Sequence, residues 1–229
     1  MLKLKSLRYL VIGLMFLLVG CAGSRARMSS MKTDSGKTVA VVSFAVNNYG
    51  FIGKGPINDR LIAEHIDGML KDTESLLGKR WKVKPATAFI KNPGYLHLSV
   101  GHAKSGLVTP IVAGKVMPSF TDSRKEIIKG EMDPATAKKL CAALGVDSVV
   151  LVYSEWTISQ GKFVPTIKAL TKNCISMFNK DGKRLFFARK DVAGSNVIGS
   201  AFTKIYINEG TIDQWTNAYL EGVKSIFKL

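Results

Sequence analysis

The chain has 229 residues, 46% of them hydrophobic, and a formal net charge of +16 at pH 7. Its length allows one domain with a sizeable core or two very small ones and excludes anything larger. So basic a composition raises nucleic acid, anionic lipid or an acidic partner as binding targets, beside the plain role of lysine in solubility.

Residues 1–20 carry Lys3, Lys5 and Arg8, then an apolar run from Tyr9 to Val19 and Gly20. This is the layout of an export signal. The eleven apolar residues are too few for a bilayer-spanning helix, which needs about 20. Leu18-Val19-Gly20-Cys21 resembles the lipobox of bacterial lipoproteins. In that family the cysteine is lipidated and becomes the first mature residue. The resemblance implies a diacylglyceryl thioether on Cys21, usually with a third, N-linked acyl chain. Stable anchoring takes two or more chains, so permanent attachment is implied. In Gram-negative lipoproteins an Asp after the cysteine favours inner-membrane retention. Ala22 therefore points to the inner leaflet of the outer membrane, facing the periplasm. Export removes nucleic acid from the candidate partners. Without Lys3, Lys5 and Arg8 the mature chain keeps +13, suited to anionic lipid, lipopolysaccharide, wall polymer or an acidic envelope protein.

Residues 21–37 pair the lipidated cysteine with a small, polar, aperiodic tether of coil dimension about 22 Å. The folded domain is expected over 38–229. TVAVVSFAV from Thr38 is a buried strand. Glycines at 50, 53 and 55 lead to a four-turn amphipathic helix with Ile57, Leu61, Ile66, Met69 and Leu70 on one face. Arg80–Ile90 reads as a strand with an edge or bulge at Pro85. Residues 91–132 form an irregular insert rich in Gly and Pro, with short strands at Tyr95–Val100 and Leu107–Val112 and a helical turn or two over Ser123–Lys129. Asp133 caps a helix to Leu144, stopped by Gly145. Val149–Tyr153 is a buried strand. Asn179-Lys180-Asp181-Gly182 joins the two strands of a hairpin. Residues 195–208 are part loop and part short strand. A final helix follows, with a Thr211/Gln214 capping box and a stripe of Ile212, Trp215, Tyr219, Val223 and Ile226.

This order predicts an α/β (α+β) fold: a single mixed β-sheet packed against three main helices, with an antiparallel hairpin and the insert. KTVAVVSF, ALGVDSVVLVYSEW and the KDGKRLFF hairpin resemble the α/β domain of TolB's N-terminal region. The same domain type occurs in curli-secretion-channel lipoproteins and lipoprotein activators of peptidoglycan synthases. The resemblance is one of pattern and element order, and it transfers no functional residue.

No catalytic motif is present. The loop Gly50-Phe51-Ile52-Gly53-Lys54-Gly55 fits neither nucleotide-binding fingerprint. His65, His97 and His102 lack the spacing of a metal site, so no metal or cofactor is expected. Glu126, Glu131 and Asp133 are explained by solvation and a helix cap. Cys141 and Cys174 read as small buried residues, with a bridge between them left open. Trp215 belongs to the core, and Trp156 is the tryptophan expected to be part-exposed. The expected function is a non-catalytic, membrane-anchored adaptor or assembly factor of the envelope. Its binding surface is expected to include the basic residues Lys54, Lys104, Lys115, Arg124 and Lys125. The alternatives are a subunit of an oligomeric outer-membrane secretion channel, built on a hairpin over 163–191, and a carrier of lipid or another small ligand.

Overall fold

The structure is a computed structural model describing residues 37–47, 59–100, 107–121, 123–203 and 205–228. The export signal, Leu18, Val19, Gly20, Cys21, the tether, the glycine loop with Lys54, and Lys104 lie outside the described residues. Thr38 opens β1 (Thr38–Asn47), buried at all but two positions. It pairs in parallel with β2 (Lys82–Val83) on one side and β6 (Ser148–Gln160) on the other. β7 (Thr166–Asn179) and β8 (Arg184–Ser200) continue the sheet antiparallel, and β3 (Leu107–Val108) joins the far end of β1. The mixed α/β sheet expected from the sequence is therefore formed, in the order β2-β1-β6-β7-β8. A separate two-stranded ribbon, β4 (Ile111–Val112) with β5 (Lys115–Val116), stands apart from it.

Three long helices carry the apolar stripes. α1 (Asp59–Gly78) runs 20 residues, beyond the four turns expected, because buried Leu76 and Leu77 continue its stripe. α4 (Pro134–Leu144) starts at the Asp133 carboxylate, which accepts from Thr136 N at 2.8 Å, and stops at left-handed Gly145. α5 (Ile212–Phe227) buries Ile212, Trp215, Tyr219, Val223 and Ile226, as the stripe predicted. Its capping box does not form. Thr211 Oγ1 donates to Tyr206 O at 2.8 Å instead, so the preceding loop takes the hydroxyl meant for the helix.

Proline decides where the sequence reading of strands fails. Arg80–Ile90 is not a strand: β2 has two residues, Pro85 can donate no ladder bond, and a 3₁₀ turn (Ala86–Ala88) follows. The half-buried Glu74 carboxylate accepts the Ala86 N–H at 2.7 Å. Tyr95–Val100 is not a strand either. Pro93 takes the first turn of α2 (Pro93–His97), and Asn92 caps it by accepting from Tyr95 N at 3.1 Å. Pro110 splits Leu107–Val112 into β3 and β4. α3 (Arg124–Ile128), capped by Ser123, is as expected.

β6 and β8 run longer than expected, to Gln160 and Ser200, and β6 pairs with β7 from Ser148↔Asn179 to Gln160↔Ile167. β8 starts after the predicted turn, where Asn179 Oδ1 accepts from Asp181 N and Lys183 N. Gly182 is required there twice over. Its φ is 78°, and a Cβ would lie 2.3 Å from Pro134 O at the start of α4.

Because side chains alternate along a strand, the register assigns each face of the sheet. One face presents Phe44, Trp156, Asn173, Ile175 and Phe186, and α5 lies across it. Trp215 Nε1 donates to Thr157 O at 2.7 Å, and the Trp156 and Trp215 rings stack with centroids 6.3 Å apart. Trp156 is fully buried, so the exposure expected of it is corrected: α5 lies over its strand end. Tyr219 packs edge-on against Phe44 and shares a 2.7 Å hydrogen bond with Thr73 of α1. One turn further, Gly222 sits over Asn173, whose Nδ2 would be 2.3 Å from a Cβ at 222. Asn173 is itself locked, accepting from Ser154 Oγ at 2.7 Å and donating to Thr171 Oγ1 at 3.0 Å.

This contact predicts that Gly222→Ala lowers the unfolding free energy by about 1–3 kcal/mol, since helix and amide must both move. Urea denaturation measures it. Addition of Asn173→Ala should restore part of the loss, as it removes the obstructing amide.

Candidate functional site

The opposite face of the sheet presents Ala45, Tyr153 and Cys174, and the insert covers it. Leu107, Ile127 and Ile128 pack onto these three residues. The described part of the insert is thus a fixed lid of core, with Tyr95, Val112, Met117, Phe120 and Met132 buried. One hydrogen bond ties it down. The register of β1 against β6 slips between Val41 and Ser43, leaving Val42 out of the ladder. Tyr95 OH donates to Val42 O at 2.7 Å. Phe89 and Phe120 flank its ring at 5.0 and 5.3 Å. Burial pushes the phenol pKa well above its ordinary value, so it remains a donor across the physiological range.

What the insert leaves exposed lies beside α1. A groove of about 570 Å³ runs between Ala63, Glu64 and Asp67 of α1 and Leu107, Val108, Thr109, Ile111 and Val116. Asp67 accepts from Ile111 N at 2.7 Å and so holds the β4–β5 ribbon against the helix. Burial raises the Asp67 pKa, opposed by that hydrogen bond and by Lys71. Ala113 and Gly114 turn the ribbon with positive φ, placing Ile111 directly opposite Val116. Both are large and apolar, yet 48% and 42% exposed. The groove is therefore an apolar channel with acids along one wall.

The predicted basic residues fall on separate elements. Lys115 is exposed in the ribbon and Lys125 is exposed on α3, whose first residue is Arg124. None of these three lines the groove, whose charged groups are Glu64 and Asp67. Sequence reading missed the groove because its two walls are about 45 residues apart along the chain. The apolar Ile111 and Val116 on either side of an Ala-Gly turn were the available signal.

The reactive residue types are engaged in structure. Glu126 accepts from Thr121 Oγ1, and Asp133 caps α4. His65 Nδ1 donates to Leu61 O at 2.9 Å, with Nε2 3.8 Å from Asp213. Among the described residues no group of three His, Cys, Asp or Glu could hold a metal. Cys141 and Cys174 are buried free thiols. Burial, then Asp147 and Asp181, pushes Cys141 up to about 11, and burial raises Cys174. Such thiols stay protonated and are poor nucleophiles. Between sheet and insert, near Ser43, Phe120 and Tyr153, the free space is about 20 Å³, room for one water.

No family model matches the chain, and no curated protein does. Among solved structures it is similar to the hypothetical protein CT253 from Chlamydia trachomatis, at 12% identity and a TM-score of 0.40, covering 85% of this chain and 94% of that one. It is similar to lipoprotein GNA1162 from Neisseria meningitidis, at 11% identity and a TM-score of 0.36, covering 84% and 99%. A structure described as a neuraminyllactose-binding hemagglutinin homolog from Helicobacter pylori aligns at 10% identity and a TM-score of 0.37, covering 85% of each chain. No helix among the described residues is long and apolar enough to cross a membrane.

Two outcomes follow from this geometry. Tyr95→Phe strands the Val42 carbonyl and should cost about 1–3 kcal/mol in chemical denaturation, with hydrogen exchange rising first in the insert. Cys141 has a higher pKa folded than unfolded, so its stabilising contribution is complete below pH 9 and is lost as pH rises from 9 towards 11. The gap in denaturation midpoint between wild type and Cys141→Ala should narrow over that interval.

Proposed function

We propose that this chain is a lipid-anchored, non-catalytic binding protein of the bacterial cell envelope. Its groove beside α1 would take an apolar segment of another envelope protein. The address rests on the export signal and on the resemblance of Leu18-Val19-Gly20-Cys21 to a lipobox. The Ile111–Val116 pair carries the binding reading. It is a rigid apolar ridge left half in water on a ribbon that Asp67 holds in place. A cross-strand pair of this kind normally faces a core, and acids on the facing wall favour a segment with flanking cations. The basic residues Lys54, Lys104, Lys115, Arg124 and Lys125 would then address anionic lipid headgroups or wall polymer around the partner.

The two alternatives find less support. A membrane-spanning hairpin needs a free apolar face, whereas β7 and β8 lie under α5. A lipid carrier finds no seat in the space between sheet and insert, about 20 Å³, and would have to use the solvent-open groove beside α1.

A photo-crosslinking residue at Ile111, in cells, tests the groove. A discrete heterologous product that disappears with Val116→Glu is expected, while a product unaffected by that change would refute the groove. For the anchor, Cys21→Ser should release the protein from the membrane fraction. Turnover of muropeptides or acyl esters that one point substitution abolishes would refute the non-catalytic reading.

A further inference from the structure

A second exposed apolar feature lies at the opposite end of β6 from the start of β1. β1 begins beside Ser148, while β6 continues to Gln160, about 40 Å further at 3.3 Å per residue. There the turn 161–165 joins β6 to β7, and the chain leaves β8 through 201–203. The two turns lie side by side. Ala201 N donates to Pro165 O at 2.8 Å, Gly161 N to Thr166 O at 2.9 Å, and Thr203 N to Ser200 O at 3.0 Å. Each turn presents one aromatic ring to water. Phe163 is 98% exposed and Phe202 is 88% exposed, with Val164 at 59% beside them.

Charge around these turns is one-sided. Residues 156–170 and 192–208 contain Lys162, Lys168 and Lys204 and no Asp or Glu, in a chain that has 17 acids. Scattered exposed apolar residues need no explanation. Two nearly bare phenylalanines on hydrogen-bonded neighbouring turns, flanked along the chain by lysines and no acids, do.

We infer that this tip is a membrane-contact site, inserting Phe163 and Phe202 among the headgroups of an anionic lipid surface. Size favours a lipid surface over a protein partner. Two aromatic side chains and a valine offer at most about 500–600 Å², below the roughly 800 Å² that a standard protein interface takes from each partner. A fluid bilayer needs no matching surface. Aromatic rings partition to its interface, and lysines beside them gain from the negative lipid potential. The contact is separate from the groove and does not depend on acylation of Cys21.

The experiment uses the full chain carrying Cys21→Ser, so that no acyl chain contributes. Binding to vesicles of phosphatidylglycerol and phosphatidylcholine is compared with binding to phosphatidylcholine alone, with and without Phe163→Ser plus Phe202→Ser. The double variant should reduce partitioning to the anionic vesicles about tenfold or more, and added salt should weaken binding of the parent. The exposed rings support nothing in the fold, and circular dichroism of the variant verifies that. Phe163→Trp supplies a direct reporter, because the native tryptophans are buried. Its emission should shift to the blue with anionic vesicles. Equal partitioning of parent and double variant, or an unshifted reporter, overturns the inference. So does a shift that follows protein concentration without lipid, which would mark a contact between copies of the chain.

Discussion

The closeness of α5 to β7 is the constraint on which most of this molecule depends. Trp215, Tyr219 and Gly222 recur at helical spacing on one stripe, and each meets a different part of the sheet face. Trp215 binds the Thr157 carbonyl, Tyr219 bridges Phe44 and Thr73, and Gly222 leaves space only for the Asn173 amide. Because Asn173 is fixed by Ser154 and Thr171, the helix cannot slide without breaking buried polar bonds. The same stripe holds α1, which makes one wall of the groove. Long strands, the first helix and one wall of the groove are thus aligned by one packed seam.

The other face of the sheet is closed by a segment with little regular structure of its own. Proline and glycine divide residues 91–132 into short pieces, none of which would persist alone. The described pieces are ordered by burial against Ala45, Tyr153 and Cys174 and by the Tyr95 bond to a carbonyl that a strand irregularity left unpaired. Rigidity borrowed this way has a structural consequence. The ribbon carrying Ile111 and Val116 can remain half exposed without collapsing, because Asp67 holds its base. Preorganised apolar ridges bind with less ordering cost than mobile ones.

Charge is distributed unevenly on this framework. The chain is strongly basic overall, yet the groove is walled by Glu64 and Asp67, while the segments flanking the turn at the end of β6 carry lysines and no acids along the chain. Net charge describes how such a protein meets a membrane or polymer from a distance. The local sign at each surface describes what it can hold.

The sequence by itself determined the strands and helices whose signals are local. Thr38–Asn47 is apolar on both faces, Asp133 and Gly145 bracket a helix, Asn179–Gly182 makes a hairpin turn, and the stripe from Ile212 to Ile226 is helical. Each follows from side-chain periodicity or backbone preference within a few residues. The resemblance of Leu18 to Cys21 to a lipobox is likewise read from four consecutive positions. Only the tertiary structure decided what depends on distant partners. It shortened Arg80–Ile90 to two paired residues, turned Tyr95 into the peg of the insert, buried Trp156 beneath Trp215, and gave the Thr211 hydroxyl to Tyr206 O. The groove was illegible for the same reason. Its walls come from α1 and from a ribbon far along the chain, and their meeting is fixed by packing, which no local pattern encodes.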